Sequence, residues 1–248
     1  MARLFHIPIS PWSEKARWAL DHHRVAHERV EYLPLVGEAR LRFLMRKLSG
    51  RLSVPVFEDR GAWYTDSFDI AMHAEKIGSG PRLIPPGLEG DVEAWNRRSE
   101  ELMAAARGRM LLATENDPRL ALKVLPPGVP AALRPLLVPL AKKGLTAFID
   151  KYDMRAGAGS HERVMSEVLA ALEAALRGGR RYLLGDALSY ADITMAAALQ
   201  GVSPVDKRYM PVGPGGRAAW THKELADKHA GLLAWRDALY AEHRRAGP

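Results

Sequence analysis

The first residues of the chain pass from a short apolar run to a segment of helical periodicity. The run over 4–7 is typical of a buried strand, and it ends at Pro8. A helix is predicted over 11–23, because apolar residues recur at helical spacing and Pro11 suits the first helical position. Ser10 therefore occupies the N-cap, where the strand ends and the helix begins.

Alternating apolar residues, typical of strands, and apolar residues at helical spacing predict further elements up to residue 78. Together these elements give an α/β domain over residues 1–78. Pro55 lies inside one predicted strand, which marks an edge or a functional bend because proline cannot donate to a sheet ladder. The predicted elements are a strand over 25–32 running toward Leu35, a helix over 38–48, a strand over 53–57, a turn over 58–61, a return strand over 62–64, and a helix that begins at Asp66-Ser67 and buries Ile70, Ala71, Ala74 and Ile77.

Glycine and proline are concentrated between residues 78 and 87, so a linker is predicted over 79–88 and an all-helical domain over 89–248. Prolines at 126–130 prevent an uninterrupted helix, so 116–140 is expected to be an irregular excursion. It forms either a wall over a ligand cleft or a structural crossover. The predicted helices run from about 88 to 110, over 142–152, over 161–177, near 218–228 and over 231–245, with a loop over 202–216.

A capping signal opens one further helix in the second domain. Ser189 lies three residues before Asp192, so each side chain is able to cap the backbone N–H of the other residue. Leu188 and Ile193 are placed for a hydrophobic staple across this cap. The residues over 193–199 are small and apolar, so the helix is predicted to be buried on all sides.

The composition excludes several classes of chemistry. No cysteine is present, which rules out disulfides, thiolate metal sites and a protein thiol as nucleophile. Any sulfur chemistry must therefore use a sulfur from the substrate. The formal charge of +7 comes from scattered basic residues without a nucleic-acid-binding motif, so no nucleic-acid partner is expected. Neither a membrane helix nor a signal-peptide pattern is found, and we expect a cytoplasmic protein that does not bind membranes.

Ser10 is the first candidate for chemistry. A helix N-terminus combines unpaired backbone N–H groups with the positive end of the helix dipole, so it stabilises anions. A thiolate is such an anion. The alternative interpretation is that Ser10 only caps its helix.

Three short motifs fall in one order along the chain. Ser10-Pro11-Trp12-Ser13 follows the first strand, Val54-Pro55-Val56 stands at the third, and Asp66-Ser67 precedes a helix, with Ser189-x-x-Asp192 after the linker. With this order and spacing, the chain resembles the cytosolic glutathione transferases of the Ser/Cys type over essentially its whole length. The resemblance implies a thioredoxin-like N-terminal domain with a mixed four-stranded sheet (βαβ-α-ββα). An all-α helical bundle would follow and complete the pocket for a second substrate.

The resemblance implies glutathione as co-substrate and no metal. Ser10 would donate a hydrogen bond that favours the thiolate of glutathione. Ser13 is a second catalytic candidate, one helical turn further in, unless it is a solvated first-turn residue. Tyr64 and Tyr190 are phenolic alternatives, but neither is expected near the sulfur.

The resemblance also implies a binding site for the tripeptide. Pro55 matches the cis-proline of the family, which presents the backbone N–H and C=O of Val54 to the cysteinyl unit of glutathione. Ser67 would bind the carboxylate of the γ-glutamyl end, and Asp66 its ammonium.

The predicted site for the glycyl end of glutathione departs from the family pattern. Ser53 stands where many members carry a basic residue for the glycyl carboxylate. Arg51 is the candidate to replace that residue, and Arg40 and Lys47 are alternatives.

The pocket for the second substrate is not defined by any motif. Trp12, Met103, Arg107 and Met110 are candidates because of their expected nearness to Ser10, and the alternative for each is a place in the core or on the surface. A homodimer is implied by the resemblance alone.

The leading hypothesis is an enzyme that conjugates glutathione to a small hydrophobic electrophile, a reaction of the detoxification type. A non-catalytic binding or interaction protein of the same fold is the first alternative. Glutathione-dependent reduction, isomerisation or dehalogenation is the second. Exchange through an enzyme cysteine is excluded because the chain has none.

Overall fold

The computed structural model describes residues 1–33, 36–47, 49–50, 52–116, 134–155 and 157–245. Within these residues, a mixed four-stranded sheet forms the N-terminal domain. Its strands are β1 (Ala2–His6), β2 (His27–Glu31), β3 (Val56–Asp59) and β4 (Ala62–Tyr64). The strand order is β2-β1-β3-β4, with β1 parallel to β2 and antiparallel to β3, and β4 antiparallel to β3.

Helices cover both faces of this sheet. Successive side chains of β1 point to opposite faces, so neighbouring residues of β1 pack against different helices. The helices are α1 (Pro11–His22), α2 (Val36–Met45) and α3 (Ser67–Ile77). Leu4 packs with Leu20 of α1 and Ile70 of α3. Phe5 points to the opposite face, where it packs with Leu41 of α2. The predicted thioredoxin-like domain is therefore confirmed.

The helices from Glu89 onward form the predicted all-α domain. They are α4 (Glu89–Asn116), α5 (Arg134–Lys151), α6 (His161–Ala175), α7 (Tyr190–Ala198), α8 (Pro214–Trp220), α9 (Lys223–Lys228) and α10 (Ala230–His243). Every residue of α7 is buried, and this helix packs against both α4 and α1. Its start is held by Asp192, whose carboxylate accepts hydrogen bonds from the backbone N–H groups of Leu183 and Ser189, both at 2.8 Å.

Two predictions about the N-terminal domain are wrong. The third strand begins at Val56 and not at 53, because Pro55 lacks the N–H that a ladder needs. The strand instead continues into the predicted turn over 58–61. Ile77 is 44% exposed because it lies in the last turn of α3, beyond the sheet. The other predicted elements differ by a few residues at their ends.

The helical domain also differs from its predicted bounds. α5 begins at Arg134, well before its predicted start, since Pro135 falls in the first turn, where a missing N–H costs little. The central part of the proline-rich stretch, 117–133, lies outside the described residues. The helix predicted near 218–228 is two helices, because the backbone is extended at Thr221.

Candidate functional site

The strand register brings three motifs to one edge of the sheet. Phe5 pairs with Val56 and Phe57 pairs with Tyr64, so the end of β1, the start of β3 and the end of β4 lie side by side. The chain enters α1 after β1 and α3 after β4, and the two helices pack against each other. Two helix N-termini therefore begin at the same edge, and together they favour a bound anion.

Ser10 is the N-cap of α1, as predicted. Its Oγ accepts a 3.4 Å hydrogen bond from the backbone N–H of Ser13, and its own backbone N–H donates to the carbonyl of Ile7 at 3.0 Å. The residue is half-buried. Because the oxygen acts as an acceptor within the cap, its O–H is able to donate to a ligand.

The turn before α1 is held by side chains of that helix. Ser13 accepts a 3.1 Å hydrogen bond from the backbone N–H of Ile7. Arg17 donates to the carbonyl of Pro8 at 2.9 Å, and it lies 2.9 Å from Nδ1 of His6. Ser13 is fully buried, so the expectation of a solvated first-turn residue is wrong. Its hydroxyl oxygen serves the turn.

A buried ion-pair network continues from this turn to Arg244, the residue after α10. Glu14 is fully buried and binds Arg17 at 2.6 Å and Arg244 at 2.7 Å. Arg244 also binds Asp21 at 2.7 Å. Burial alone raises the pKa of the Glu14 carboxyl, but the two guanidinium groups outweigh it and hold that pKa below its ordinary value. Sequence reasoning missed this network because no local spacing pairs residue 14 with residue 244.

The segment before β3 brings the backbone of Val54 to the same edge. The peptide bond between Val54 and Pro55 is cis, as the resemblance implies. Val54 is half-buried, and the ladder between β3 and β1 begins one residue after Pro55, at Val56. The backbone of Val54 is therefore placed to pair with an extended ligand.

Ser67 and Asp66 begin α3 at this edge. Asp66 is the N-cap and accepts a 2.7 Å hydrogen bond from the backbone N–H of Phe68. The Oγ of Ser67 is buried and has no hydrogen-bond partner among the residues that the structure describes. Since an unsatisfied buried hydroxyl is costly, this site is suited to a ligand oxygen. A carboxylate fits the hydroxyl and the helix N-terminus, and an ammonium fits the exposed Asp66.

Lys15 is fully buried between α1 and the helical domain, which sequence reasoning did not foresee. Its Nζ donates to Oδ1 of Asn96 at 2.6 Å, to Oγ of Ser99 at 3.3 Å and to Oε1 of Glu100 at 2.6 Å. Burial lowers the pKa of Lys15, and the Glu100 carboxylate opposes that change. The other oxygen of Glu100 accepts a hydrogen bond from the indole N–H of Trp12. The ion pair between Lys15 and Glu100 therefore fixes the orientation of Trp12.

Trp12 and Arg107 meet beside the cap of α1. The guanidinium carbon of Arg107 lies 4.5 Å from the ring centre of Trp12 and 4.5 Å from that of Tyr152. Phe148 follows at 5.9 Å, and its ring is 4.7 Å from that of Tyr152. We call Trp12, Arg107, Phe148 and Tyr152 the aromatic wall. Phe148 of α5 and Tyr152, just after it, were missed because no motif links this part of the chain to the N-terminal domain.

Other predicted site residues lie elsewhere. Met103 is 1% exposed in the core of the helical domain, where it packs with Met165 and Met195, so its assignment to a pocket is corrected. Met110 is half-buried further along α4. Arg51 lies outside the described residues.

Tyr190 and Tyr64, the two phenolic alternatives, both make contacts within the protein. Tyr190 is fully buried, and its hydroxyl donates to the carbonyl of Ser67 at 3.1 Å. Burial raises the pKa of Tyr190 well above its ordinary value. Tyr64 stacks on His73 with their ring centres 4.1 Å apart.

Metal ligands do not gather at this edge: in the described part of the chain, no three His, Asp or Glu side chains are placed to hold a metal ion. None of the helices described there is both long and apolar enough to cross a bilayer.

Two family models match the chain. The model of the glutathione S-transferase N-terminal domain matches residues 4–82, and the model of the glutathione S-transferase C-terminal domain matches residues 143–238. No curated protein sequence matches the chain.

Several solved structures share this fold at low sequence identity. A glutathione transferase from Phanerochaete chrysosporium, GSTFuA2, is 19% identical with a TM-score of 0.66, over 99% of this chain and 99% of that one. A glutathione S-transferase from Methylobacillus flagellatus, solved with glutathione bound, is 16% identical with a TM-score of 0.61, over 98% of this chain and 95% of that one. A glutathione S-transferase from Methylobacterium radiotolerans, in complex with glutathione sulfonate, is 17% identical with a TM-score of 0.59, over 97% of this chain and 91% of that one.

Proposed function

Because the chain belongs to the glutathione S-transferase family, we propose that it binds glutathione at the sheet edge and activates the thiol with Ser10. One observation carries the proposal: Ser10, the backbone of Val54 just before β3, and the Ser67 hydroxyl, which has no hydrogen-bond partner among the described residues, all lie at this edge. Two of the structures that share the fold hold glutathione or glutathione sulfonate, which supports the choice of ligand.

Activation consists of making the thiolate more stable at neutral pH. A free thiol has a pKa of about 8.5, so only a few per cent is ionised at pH 7. The Ser10 hydroxyl donates to the sulfur, and the N-terminus of α1 adds its dipole. Each unit by which the pKa of the thiol falls corresponds to about 1.4 kcal/mol of selective thiolate stabilisation. The thiol proton leaves to solvent, and the sulfur then forms a bond to an electrophilic carbon. With an aryl halide, the carbon–halogen bond breaks and the halide leaves to solvent with the bonding electron pair.

The rest of the tripeptide is held by groups along the same edge. The backbone of Val54 pairs with the cysteinyl unit in a strand-like manner. The hydroxyl of Ser67 and the N–H groups of α3 take the γ-glutamyl carboxylate, and Asp66 takes the ammonium.

The electrophile is a small hydrophobic molecule that rests against the aromatic wall. Trp12 and Arg107 lie close to the cap of α1, so a molecule beside them is within reach of the sulfur. A guanidinium among aromatic rings favours an electrophile that gains negative charge as the sulfur attacks. We place the protein in the cytoplasm, since the cytosol holds a reduced glutathione pool. The homodimer is proposed from the family resemblance alone.

Calorimetry and kinetics test this proposal in two steps. Titration with glutathione is expected to give binding at millimolar concentration or below; no binding would end the proposal. Conjugation of an aryl halide is then compared between wild type and Ser10→Ala, with an expected loss of at least about tenfold on removal of one donor to the sulfur. Glutathione binding without turnover would instead identify a non-catalytic binding protein. Turnover of disulfides or haloalkanes alone would identify a reductase or dehalogenase.

A further inference from the structure

The glycyl carboxylate of glutathione needs a cation that the N-terminal domain does not place at residue 53. Ser53 is exposed and uncharged. The inference that follows rests on the proposed function, because it concerns how the same tripeptide is held.

The direction of the bound tripeptide follows from its two other contacts. Its γ-glutamyl end lies at Ser67 and its cysteinyl unit at Val54, so its glycyl end runs back along the chain toward Leu52. An extended peptide advances roughly 3.3 Å per residue. The terminal carboxylate therefore lies about one residue beyond Val54, beside Ser53 and Leu52.

Lys151, the last residue of α5, reaches this place from the helical domain. Its Nζ lies 3.5 Å from the carbonyl oxygen of Leu52 and 3.2 Å from Oε2 of Glu38. Its side chain is 34% exposed. The ammonium is thus held against the segment that precedes Val54, on the side of α2.

Lys151 shares one carboxylate with a second cation of the N-terminal domain. Arg42 donates to Oε1 of Glu38 at 2.8 Å, so one carboxylate is shared by the two cations Arg42 and Lys151. These three side chains carry a net charge of +1. A bound carboxylate would neutralise that charge, and charge-assisted hydrogen bonds to it are stronger than neutral ones.

We propose that Lys151 binds the glycyl carboxylate of glutathione, so that a residue of the helical domain replaces the basic residue missing at Ser53. Glu38 orients the ammonium in the absence of ligand, and the carboxylate joins the same cluster on binding. In consequence both domains contact glutathione. Arg51, Arg40 and Lys47 are the competing cations.

Two ligands that differ only at the glycyl end test this assignment. Calorimetry compares glutathione with its glycyl amide, which lacks the carboxylate charge, on wild type and on Lys151→Met. Wild type is expected to prefer glutathione by about tenfold or more, as for one charge-assisted contact. Lys151→Met is expected to lose that preference while its affinity for the amide stays unchanged. Lys143→Met, an exposed lysine of the same helix, is expected to keep the preference.

Further variants keep the test decisive. Lys151→Arg retains the charge and is expected to restore the preference, and thermal melts confirm that each variant is folded. An unchanged preference in Lys151→Met, or its loss in Arg51→Met instead, would overturn the assignment while leaving the proposed function standing. Failure of wild type to bind either ligand would overturn both.

Discussion

At the scale of single residues, the turn before α1 depends on a neutral histidine. His6 is 7% exposed, and its Nδ1 lies 2.9 Å from the guanidinium of Arg17, which can only donate. Burial, and after it the charge of Arg17, lowers the pKa of His6 from 6.5 to about 4. The ring is therefore uncharged in the folded protein at neutral pH.

This lowered pKa predicts that the protein loses stability in mild acid. Between pH 6.5 and about 4 the unfolded chain binds a proton at His6 and the folded chain does not, so the free energy of unfolding falls as the pH falls. One such group contributes at most about 1.4 kcal/mol per pH unit. Denaturation with urea at a series of pH values measures this slope. His6→Gln, which keeps an acceptor for Arg17, is expected to reduce it; an identical slope in the variant contradicts the assignment.

Residues differ in how far local sequence determines their place. Ser10 could be located because a cap depends on neighbours within one helical turn, and the structure places it there. Lys15 could not, since its burial depends on Asn96 and Glu100, which lie far along the chain. Ser13 was expected in solvent for the same reason: its partner is the N–H of Ile7, in a turn whose shape the periodicity does not specify.

At the scale of elements, α1 is buried on two sides. Ala16 and Leu20 face the sheet. Trp18 faces the helical domain, and its ring centre lies 4.5 Å from that of Tyr240. The spacing of the apolar residues predicted the first face. The second depends on contact with a helix at the other end of the chain, and this is why the periodicity alone did not predict it.

The ends of α1 and α3 approach each other so closely that only glycine fits at residue 78. A Cβ at Gly78 would overlap the backbone oxygen of His23. That oxygen accepts a 2.7 Å hydrogen bond from the N–H of Ser79, so it cannot easily move away. The approach fixes where α3 ends, next to the end of α1.

Gly78→Ala is therefore expected to lower the free energy of unfolding by about 1–3 kcal/mol, the usual cost of overpacking. Urea denaturation measures the change. Gly90→Ala is the matched control, because nothing lies within 4 Å of its added Cβ and alanine suits a helix. A loss in the control as large as in Gly78→Ala would show that this close approach is not the cause.

At the scale of the whole molecule, Arg244, which follows α10, is tied to the helix that carries Ser10. Arg244 is 6% exposed and binds both Glu14 and Asp21 of α1 at 2.7 Å. Because Glu14 is fully buried, its charge must be compensated by Arg244 and Arg17. The folded state of the N-terminal domain thus depends on Arg244, which follows α10 at the far end of the helical domain.

Removing only Arg244 is expected to lower the free energy of unfolding more than removing both Arg244 and the charge of Glu14. Arg244→Met leaves the Glu14 carboxylate with one guanidinium and is expected to lose about 3–5 kcal/mol of the free energy of unfolding. The double variant Glu14→Gln with Arg244→Met is expected to recover part of that loss. Denaturation of both single variants and the double variant gives the coupling free energy. Additive losses would indicate that the two side chains do not stabilise each other.

The ionisation of bound glutathione tests the central claim most directly. The ultraviolet absorbance of the thiolate, followed against pH, gives the pKa of the bound thiol in wild type, Ser10→Ala and Ser13→Ala. In wild type this pKa is expected to be about one to two units below the 8.5 of a free thiol. In Ser10→Ala, the pKa of the bound thiol is expected to rise most of the way back to that of a free thiol. The same lowered pKa in wild type and Ser10→Ala, or a rise in Ser13→Ala alone, would contradict the account.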